Sequence, residues 1–291
     1  MGHGIAQIFA ASGHPVLVFD PAEAVLASVP ERVRAIFELL GRDAADAERI
    51  SLHPVLEDAV SGAEFVFEAA PEKLEVKREI FARLDAASRP GAVLASNTSA
   101  IPIRDIAAPV KDQGRVVGTH YWNPPHLIPL VEVVEAETTA PDTVRRTIDL
   151  LASVGKSPVH VRRDVPGFIG NRLQHALKRE AIALIADGVC DAETIDRVVK
   201  DGFGARMAVL GPMEQSDLVG LDLTLDIHRV LIADLDRTPG PHPYLEAKVT
   251  AGEVGMSAGR GFRDWTPATA AEVRERLSRF LADLAREARD D

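Results

Sequence analysis

The sequence predicts an α/β protein in which a doubly wound, mostly parallel sheet precedes an all-helical C-terminal domain. Three observations carry that prediction. Short β-rich runs alternate with helical stretches over the first 165 residues, as parallel strands joined by crossover helices require. The tetrapeptide Asp164-Val165-Pro166-Gly167 stops the alternation. Beyond it the pattern is helical almost without interruption. Two domains are therefore expected, residues 1–165 and 166–291, in keeping with the chain length.

The opening residues, from Met1-Gly2-His3-Gly4 to Ala11, read as a helix start, and residues 15–20 read as a strand ending in a carboxylate. This order is the second half of a dinucleotide-binding βαβ unit, which runs strand, G-x-G-x-x-G turn, helix and strand with an acid at its tip. Gly2 falls where the third glycine belongs, and Asp20 where the ribose-binding acid belongs. The first strand and the first two glycines are absent from the 291 residues. The strand at 16–20 is thus expected to lack its central neighbour, leaving backbone groups unpaired. A chain extended upstream by about a dozen residues is expected to be more stable and to bind NAD more tightly.

Residues 22–57 read as helical, with a helix at 31–41. Further strands are expected at 64–68, 92–96, 115–120, 130–134 and 158–161. A crossover helix at 72–87 carries Leu74, Ile80, Phe81 and Leu84 at helical spacing. The C-terminal helices are expected at 168–187, 192–200, 211–235, 243–251 and 267–289. Their apolar faces exceed what one small helical layer can hide, which implies a homodimer.

Composition narrows the function classes. A formal charge of −11 argues against nucleic acid as a partner. The single cysteine, Cys190, excludes a disulfide framework and fits a reducing cytosol. No apolar run approaches the roughly 20 residues of a membrane span, and no secretory signal precedes the first helix. A cytoplasmic protein acting on a small molecule is the resulting expectation. Apart from His120 the histidines are scattered without ligand spacing, so no metal is assigned.

Four blocks, in order along nearly the whole chain, carry a resemblance. They are residues 1–10; Ser96-Asn97-Thr98-Ser99; Gly118-Thr119-His120-Tyr121-Trp122-Asn123-Pro124-Pro125 with Leu130-Val131-Glu132-Val133; and Asp164-Val165-Pro166-Gly167-Phe168-Ile169-Gly170-Asn171-Arg172. Together they resemble the L-3-hydroxyacyl-CoA dehydrogenase family. The resemblance implies a Rossmann-like NAD-binding domain followed by an all-α dimerisation domain. It implies a catalytic pair at His120 and Glu132, with Ser99 and Asn171 as substrate contacts. It implies cofactor contacts at Gly2, Asp20, Glu72, Lys77, Ser99 and Asn123.

The chemistry fits these residue types. Oxidising a secondary alcohol needs a positioned base, and a histidine titrates near working pH. His120 ends an expected strand at the carboxyl edge of the sheet, where open α/β folds bind ligands. Glu132, if its strand returns alongside, would accept the second imidazole N–H and fix the tautomer. Ser99 and Asn171 are neutral donors for a developing alkoxide. Asp20 would accept from both ribose hydroxyls of NAD and repel the 2′-phosphate of NADP, and residues 21–27 hold no Arg or Lys to neutralise one.

Structural assignments stand beside each functional one. His120 and Glu132 would then form a buried pair without catalytic duty. Ser99 would cap a helix starting near Ile101-Pro102, Asn171 would be an ordinary first-turn residue, Asp20 a solvated strand end and Lys77 an exposed helix charge.

Two departures bear on the ligands, the first on the cofactor and the second on the substrate. Family members carry a lysine where Ser257 stands, before Gly259-Arg260-Gly261-Phe262. Acyl-CoA members also have a longer lysine-rich insertion after the second strand, whereas residues 22–61 here contain no lysine. The stretch from Trp122 to Pro129 is similar to relatives that oxidise free hydroxy acids: λ-crystallin-like gulonate dehydrogenases, carnitine dehydrogenases and a pyridine-carboxylate dehydrogenase. The expected substrate is a 3-hydroxyacyl compound, as a CoA thioester by family habit. The alternatives are a free 3-hydroxy acid and, in another class, a non-catalytic homologue.

Overall fold

Two buried strands, Val93–Ser96 and Val116–Tyr121, anchor the fold, and each is apolar or small over most of its length, as the centre of a parallel sheet demands. The computed structural model describes the backbone of residues 1–290 and the side chains of 1–285. In chain order the first part contains α1 (Gly2–Ala11), β1 (Val16–Phe19), α2 (Glu23–Leu39), β2 (Ile50–His53), α3 (Leu56–Val60) and β3 (Phe65–Glu68). It continues through α4 (Leu74–Ala87), β4 (Val93–Ser96), α5 (Ile103–Ala107), β5 (Val116–Tyr121), β6 (Leu130–Val134), α6 (Pro141–Ser153) and β7 (Ser157–Val161). The rest is helical: α7 (Gly170–Ala186), α8 (Ala192–Asp201), α9 (Pro212–Val219), α10 (Leu221–Leu231), α11 (Pro243–Thr250) and α12 (Pro267–Asp290).

The main sheet has the order β3-β4-β5-β6-β7, parallel throughout except for the antiparallel β5–β6 pair. β1 and β2 form a separate parallel pair. Among the described residues, β1 thus pairs only with β2, and β3 only with β4. Strand alternation sorts the core onto two faces. Leu94, Val116 and Val134 meet Phe81, Leu84, Ile103 and Ile106 on one face. Val93, Ala95, Val117 and Val133 meet Ile5, Ile8 and Phe9 of α1 and Val144 and Leu151 of α6 on the other.

Several elements differ from the sequence-based expectation. The stretch 22–57 is not helical throughout: it contains β2, whose Ile50 and Leu52 pack on Val29, Val33 and Phe37 of α2. A four-residue strand on a two-stranded pair leaves too little period to read. Helix α2 starts at Glu23 and carries Pro30 inside it. Its buried face of Leu26, Val29, Val33, Ile36 and Phe37 outweighs the lost backbone bond. The crossover helix begins at Leu74, leaving Glu72 in the preceding loop. The expected single helix at 211–235 is two, broken at Gly220 with φ +98°.

The chain divides into two units, Met1–Arg172 with the residues from Leu277 onward, and Leu173–Arg276. The division falls a few residues beyond the expected 165/166, and the end of α12 belongs to the first unit. There Leu281, Ala282 and Ala285 pack on Ile36, Leu40 and Leu127. Within the second unit Ala183 and Ala270 are the only buried hydrophobic residues among those described.

Gly118 marks a close approach under β5. A Cβ there would lie 2.6 Å from Ile103 Cδ1 and 2.8 Å from Val134 Cβ. We expect Gly118→Ala to cost about 1–3 kcal/mol through overpacking, read as a lowered midpoint in urea unfolding.

Candidate active site

β5 and β6 run antiparallel in a register that sets His120 directly opposite Glu132. Both side chains point to the same face of the sheet, and both are buried. His120 Nδ1 lies 2.8 Å from Glu132 Oε2. The other carboxylate oxygen, Oε1, accepts the backbone N–H groups of Ile169 at 2.9 Å and Gly170 at 3.0 Å. Burial works against the Glu132 charge, but the bonds from His120, Gly170 and Ile169 outweigh it and hold the carboxyl below the usual carboxylate range. His120 Nε2 makes no hydrogen bond to the described residues. Its ring is flanked by Trp122 at 5.5 Å and Phe168 at 5.8 Å between centroids.

The segment entering α7 is shaped to serve Glu132. Gly167 and Phe168 both take left-handed conformations, with φ of +76° and +51°. Phe168 is fully buried, so packing holds it in a strained region that non-glycine residues avoid. The turn aims two successive N–H groups at one carboxylate oxygen. Gly170 is needed there too: a Cβ would lie 2.4 Å from the Trp122 ring.

The loop after β4 forms the neighbouring wall. Asn171 Nδ2 donates to the Ser99 carbonyl at 2.9 Å. Glu72 Oε1 accepts the Thr98 hydroxyl at 2.6 Å and the N–H groups of Ser99 and Ala100 at 2.9 and 3.0 Å. Burial raises the cost of the Glu72 charge, yet these bonds and Lys77 keep its carboxyl low. Ser99 is exposed and does not cap α5, whose N-cap is Pro102. Lys77 is no exposed helix charge: it is fully buried, with Nζ 2.8 and 3.0 Å from the two Glu68 oxygens and 3.6 Å from Glu72 Oε2. Asn123 is exposed just beyond β5.

Sequence reasoning missed Asn97 and Glu68. Asn97 Oδ1 accepts the Tyr121 N–H at 2.9 Å, while its own N–H donates to the Glu68 carbonyl at 2.8 Å, stitching together the ends of β3, β4 and β5. An asparagine directly after a strand is the readable signal, because its short side chain bonds neighbouring backbone.

At the other end, Asp20 follows β1 and spends Oδ1 on the Ala22 N–H at 2.9 Å. Helix α1 begins without a side-chain cap and without acid in its first turn, so its free N–H groups suit an anion. The glycine demanded by packing is Gly4 rather than Gly2. A Cβ on Gly4 would lie 2.7 Å from Pro125 Cγ, whereas one on Gly2 meets Ala69 at an ordinary 3.9 Å. These groups fit a dinucleotide: an acid with a spare oxygen for a diol, and helix N–H groups for phosphate.

Comparison with known proteins settles the family. Residues 1–165 match the family described as 3-hydroxyacyl-CoA dehydrogenase, NAD binding domain, and residues 167–265 match its C-terminal domain. The chain belongs to the 3-hydroxyacyl-CoA dehydrogenase family. It is an NAD-dependent oxidoreductase, and the non-catalytic alternative falls away. A 5-formyl-3-hydroxy-2-methylpyridine 4-carboxylate 5-dehydrogenase of Mesorhizobium japonicum is 36% identical, covering 98% of this chain and 94% of the relative. An L-carnitine dehydrogenase of Streptomyces griseus is 43% identical over 76% of this chain and 67% of its own. A probable 3-hydroxybutyryl-CoA dehydrogenase of Bacillus subtilis is 37% identical over 92% and 95%. Among solved structures, an FHMPC 5-dehydrogenase, described as an NAD+ dependent dismutase, superposes with a TM-score of 0.91 at 34% identity, covering 99% of this chain and 95% of its own. The 3-hydroxybutyryl-CoA dehydrogenase of Escherichia coli gives 0.75 at 33% identity, covering 91% of this chain and 57% of its own. No helix among the described residues is long and apolar enough to cross a membrane.

In this family member the loop joining β5 to β6 carries a second histidine. His126 Nδ1 is buried without a partner. Burial, with His3 and Lys156 nearby, pushes its pKa down to about 4. The unfolded chain therefore binds more protons between about pH 6.5 and 4, and stability falls as pH drops through that window. We expect His126→Gln to lose less melting temperature than wild type between pH 7 and pH 5. An identical loss in both would place the acid sensitivity elsewhere.

Proposed function

We propose that the chain oxidises the hydroxyl of a small free 3-hydroxy acid with NAD, using His120 as general base. The buried His120–Glu132 bond at the carboxyl edge of the sheet, with Nε2 left unbonded, carries this reading. Glu132 takes the Nδ1–H, so Nε2 presents its lone pair to the substrate hydroxyl. Because two backbone N–H groups keep Glu132 ionised, it stabilises the imidazolium and does not itself take the proton. The Ser99 hydroxyl and the second N–H of Asn171 serve the alkoxide oxygen. NAD, when bound, supplies the hydride acceptor. Asp20 would hold the ribose diol, and the free N–H groups at the α1 N-terminus by Gly2 would take the pyrophosphate. Glu72, Ser99 and Asn123 would serve the nicotinamide end, with Lys77 paired behind Glu72.

The free-acid assignment is supported by the closer superposition on the pyridine-carboxylate enzyme, 0.91 against 0.75 for the butyryl-CoA enzyme. A CoA thioester, and a place in fatty acid metabolism, is the second reading, favoured by the family description and the Bacillus relative. Comparing kcat/KM for 3-hydroxybutyrate, L-carnitine and 3-hydroxybutyryl-CoA decides between them. A thioester ahead of both acids by more than about tenfold overturns the free-acid assignment.

We expect His120→Gln to bind NADH normally and lose about two to four orders of magnitude in turnover. Glu132→Gln loses less, and the acidic limb of its pH–rate profile moves to lower pH because the imidazolium lacks its anionic partner. Near-wild-type turnover by the His120 variant at neutral pH would sink the dyad.

A homodimer through the helical unit completes the proposal. Leu218, Leu221, Val230 and Val209 there are all more than 60% exposed, and almost nothing apolar in that unit is buried. A second copy of the same surface is the economical cover. Light scattering at micromolar concentration should give twice the chain mass of 31.3 kDa; the single-chain mass would refute it. The single cysteine accords with a cytoplasmic location.

A further inference from the structure

Glu68 closes β3 with a carboxylate turned into the interior, and the chemistry above makes no use of it. Its side chain is 2% exposed, and four donor bonds converge on it. Oε1 accepts the Ala70 N–H at 2.6 Å and Lys77 Nζ at 2.8 Å. Oε2 accepts Lys77 Nζ at 3.0 Å and the Ser96 hydroxyl at 2.6 Å. Lys77 also lies 3.6 Å from Glu72 Oε2. One ammonium thus stands between two carboxylates, hydrogen-bonded to the buried Glu68 and to the Ala70 carbonyl at 3.4 Å, and only in a longer ion pair with Glu72. Glu72 in turn spends its other oxygen on Thr98, Ser99 and Ala100.

We propose that Glu68 is a positioning residue: by holding the Lys77 ammonium it keeps Glu72 free to fasten the Ser99 loop where the nicotinamide end of NAD binds. This rests on the assignment of Ser99 and Glu72 to the cofactor site. An ammonium sealed from water must find an anion. Without the Glu68 charge the nearest one is Glu72, and closing that gap draws Glu72 away from the loop amides. The pair is not explained by stability alone, since a buried ion pair roughly offsets its own desolvation. Ser96 and the Asn97 N–H tie the same strand end to Glu68, so the disturbance would be felt directly beneath the loop.

Three variants of the full chain test this: Glu68→Gln, Lys77→Met and the double variant. NADH fluorescence titration, melting temperature and steady-state kinetics are read on each. Glutamine keeps the shape and the acceptor for Ala70 while removing the charge. Glu68→Gln should weaken NADH binding and raise KM for NAD by about tenfold, the size of coupling seen between residues in one network. Its pH–rate acidic limb should stay in place, because His120 and Glu132 lie outside the network. The double variant, with no ammonium to draw Glu72 inward, should regain NADH affinity to within about threefold of wild type. A Glu68→Gln protein that melts lower yet binds NADH as wild type does would make Glu68 structural only. A double variant still weak for NADH would put Lys77 itself on the cofactor. Either result overturns the proposal. Because the titration uses no substrate, failure here leaves the dyad untouched, and His120→Gln reports on that separately.

Discussion

A carboxylate taken out of water must be given donors, and the way Glu132 collects them organises the candidate catalytic edge of this protein. One comes from His120 across an antiparallel strand pair, two from the backbone entering α7. Those demands fix the β5–β6 register, since a one-residue slip would turn Glu132 to the opposite face of the sheet. They also fix the left-handed turn at Gly167-Phe168, because only that turn brings consecutive N–H groups to bear on one oxygen. The strain at Phe168 is offset by its burial against the His120 ring and the core beneath α5.

Glu68 solves the same problem with different donors. Where Glu132 uses an imidazole and backbone amides, Glu68 uses an ammonium, a hydroxyl and one amide. In the proposed chemistry the imidazole would cycle between protonation states, so its partner would have to stay ionised through both, whereas the Lys77 side chain has only to be held still. Glu68 ends β3 and Glu132 lies midway along β6, with β4 and β5 between these strands, and Asn97 bonds to both β3 and β5.

The features legible in the sequence were those with a period or a chemical necessity. The strand at 130–134 was placed to the residue, because an acid flanked by Leu130, Val131, Val133 and Val134 is costly unless paired. Helix α4 was legible from its apolar spacing, though its first turn was not, since Glu72 looks helical and is held in the loop by Thr98 and the amides after it. β2 was illegible because four residues with half-exposed neighbours carry no pattern. The break at Gly220 was hidden because leucines continue at helical spacing on both sides of it. The alternative of an exposed charge at Lys77 fails for a different reason: a lysine in an amphipathic helix is normally solvated, and only Glu68, nine residues earlier, makes its burial sensible.

The contact between Gly170 and the Trp122 indole has an evolutionary consequence. A methyl group at 170 would fall inside the van der Waals envelope of that ring, so the two positions do not drift independently. A side chain at 170 is admissible only after the residue at 122 has shrunk, and a shrunken residue 122 leaves one flank of the His120 ring bare.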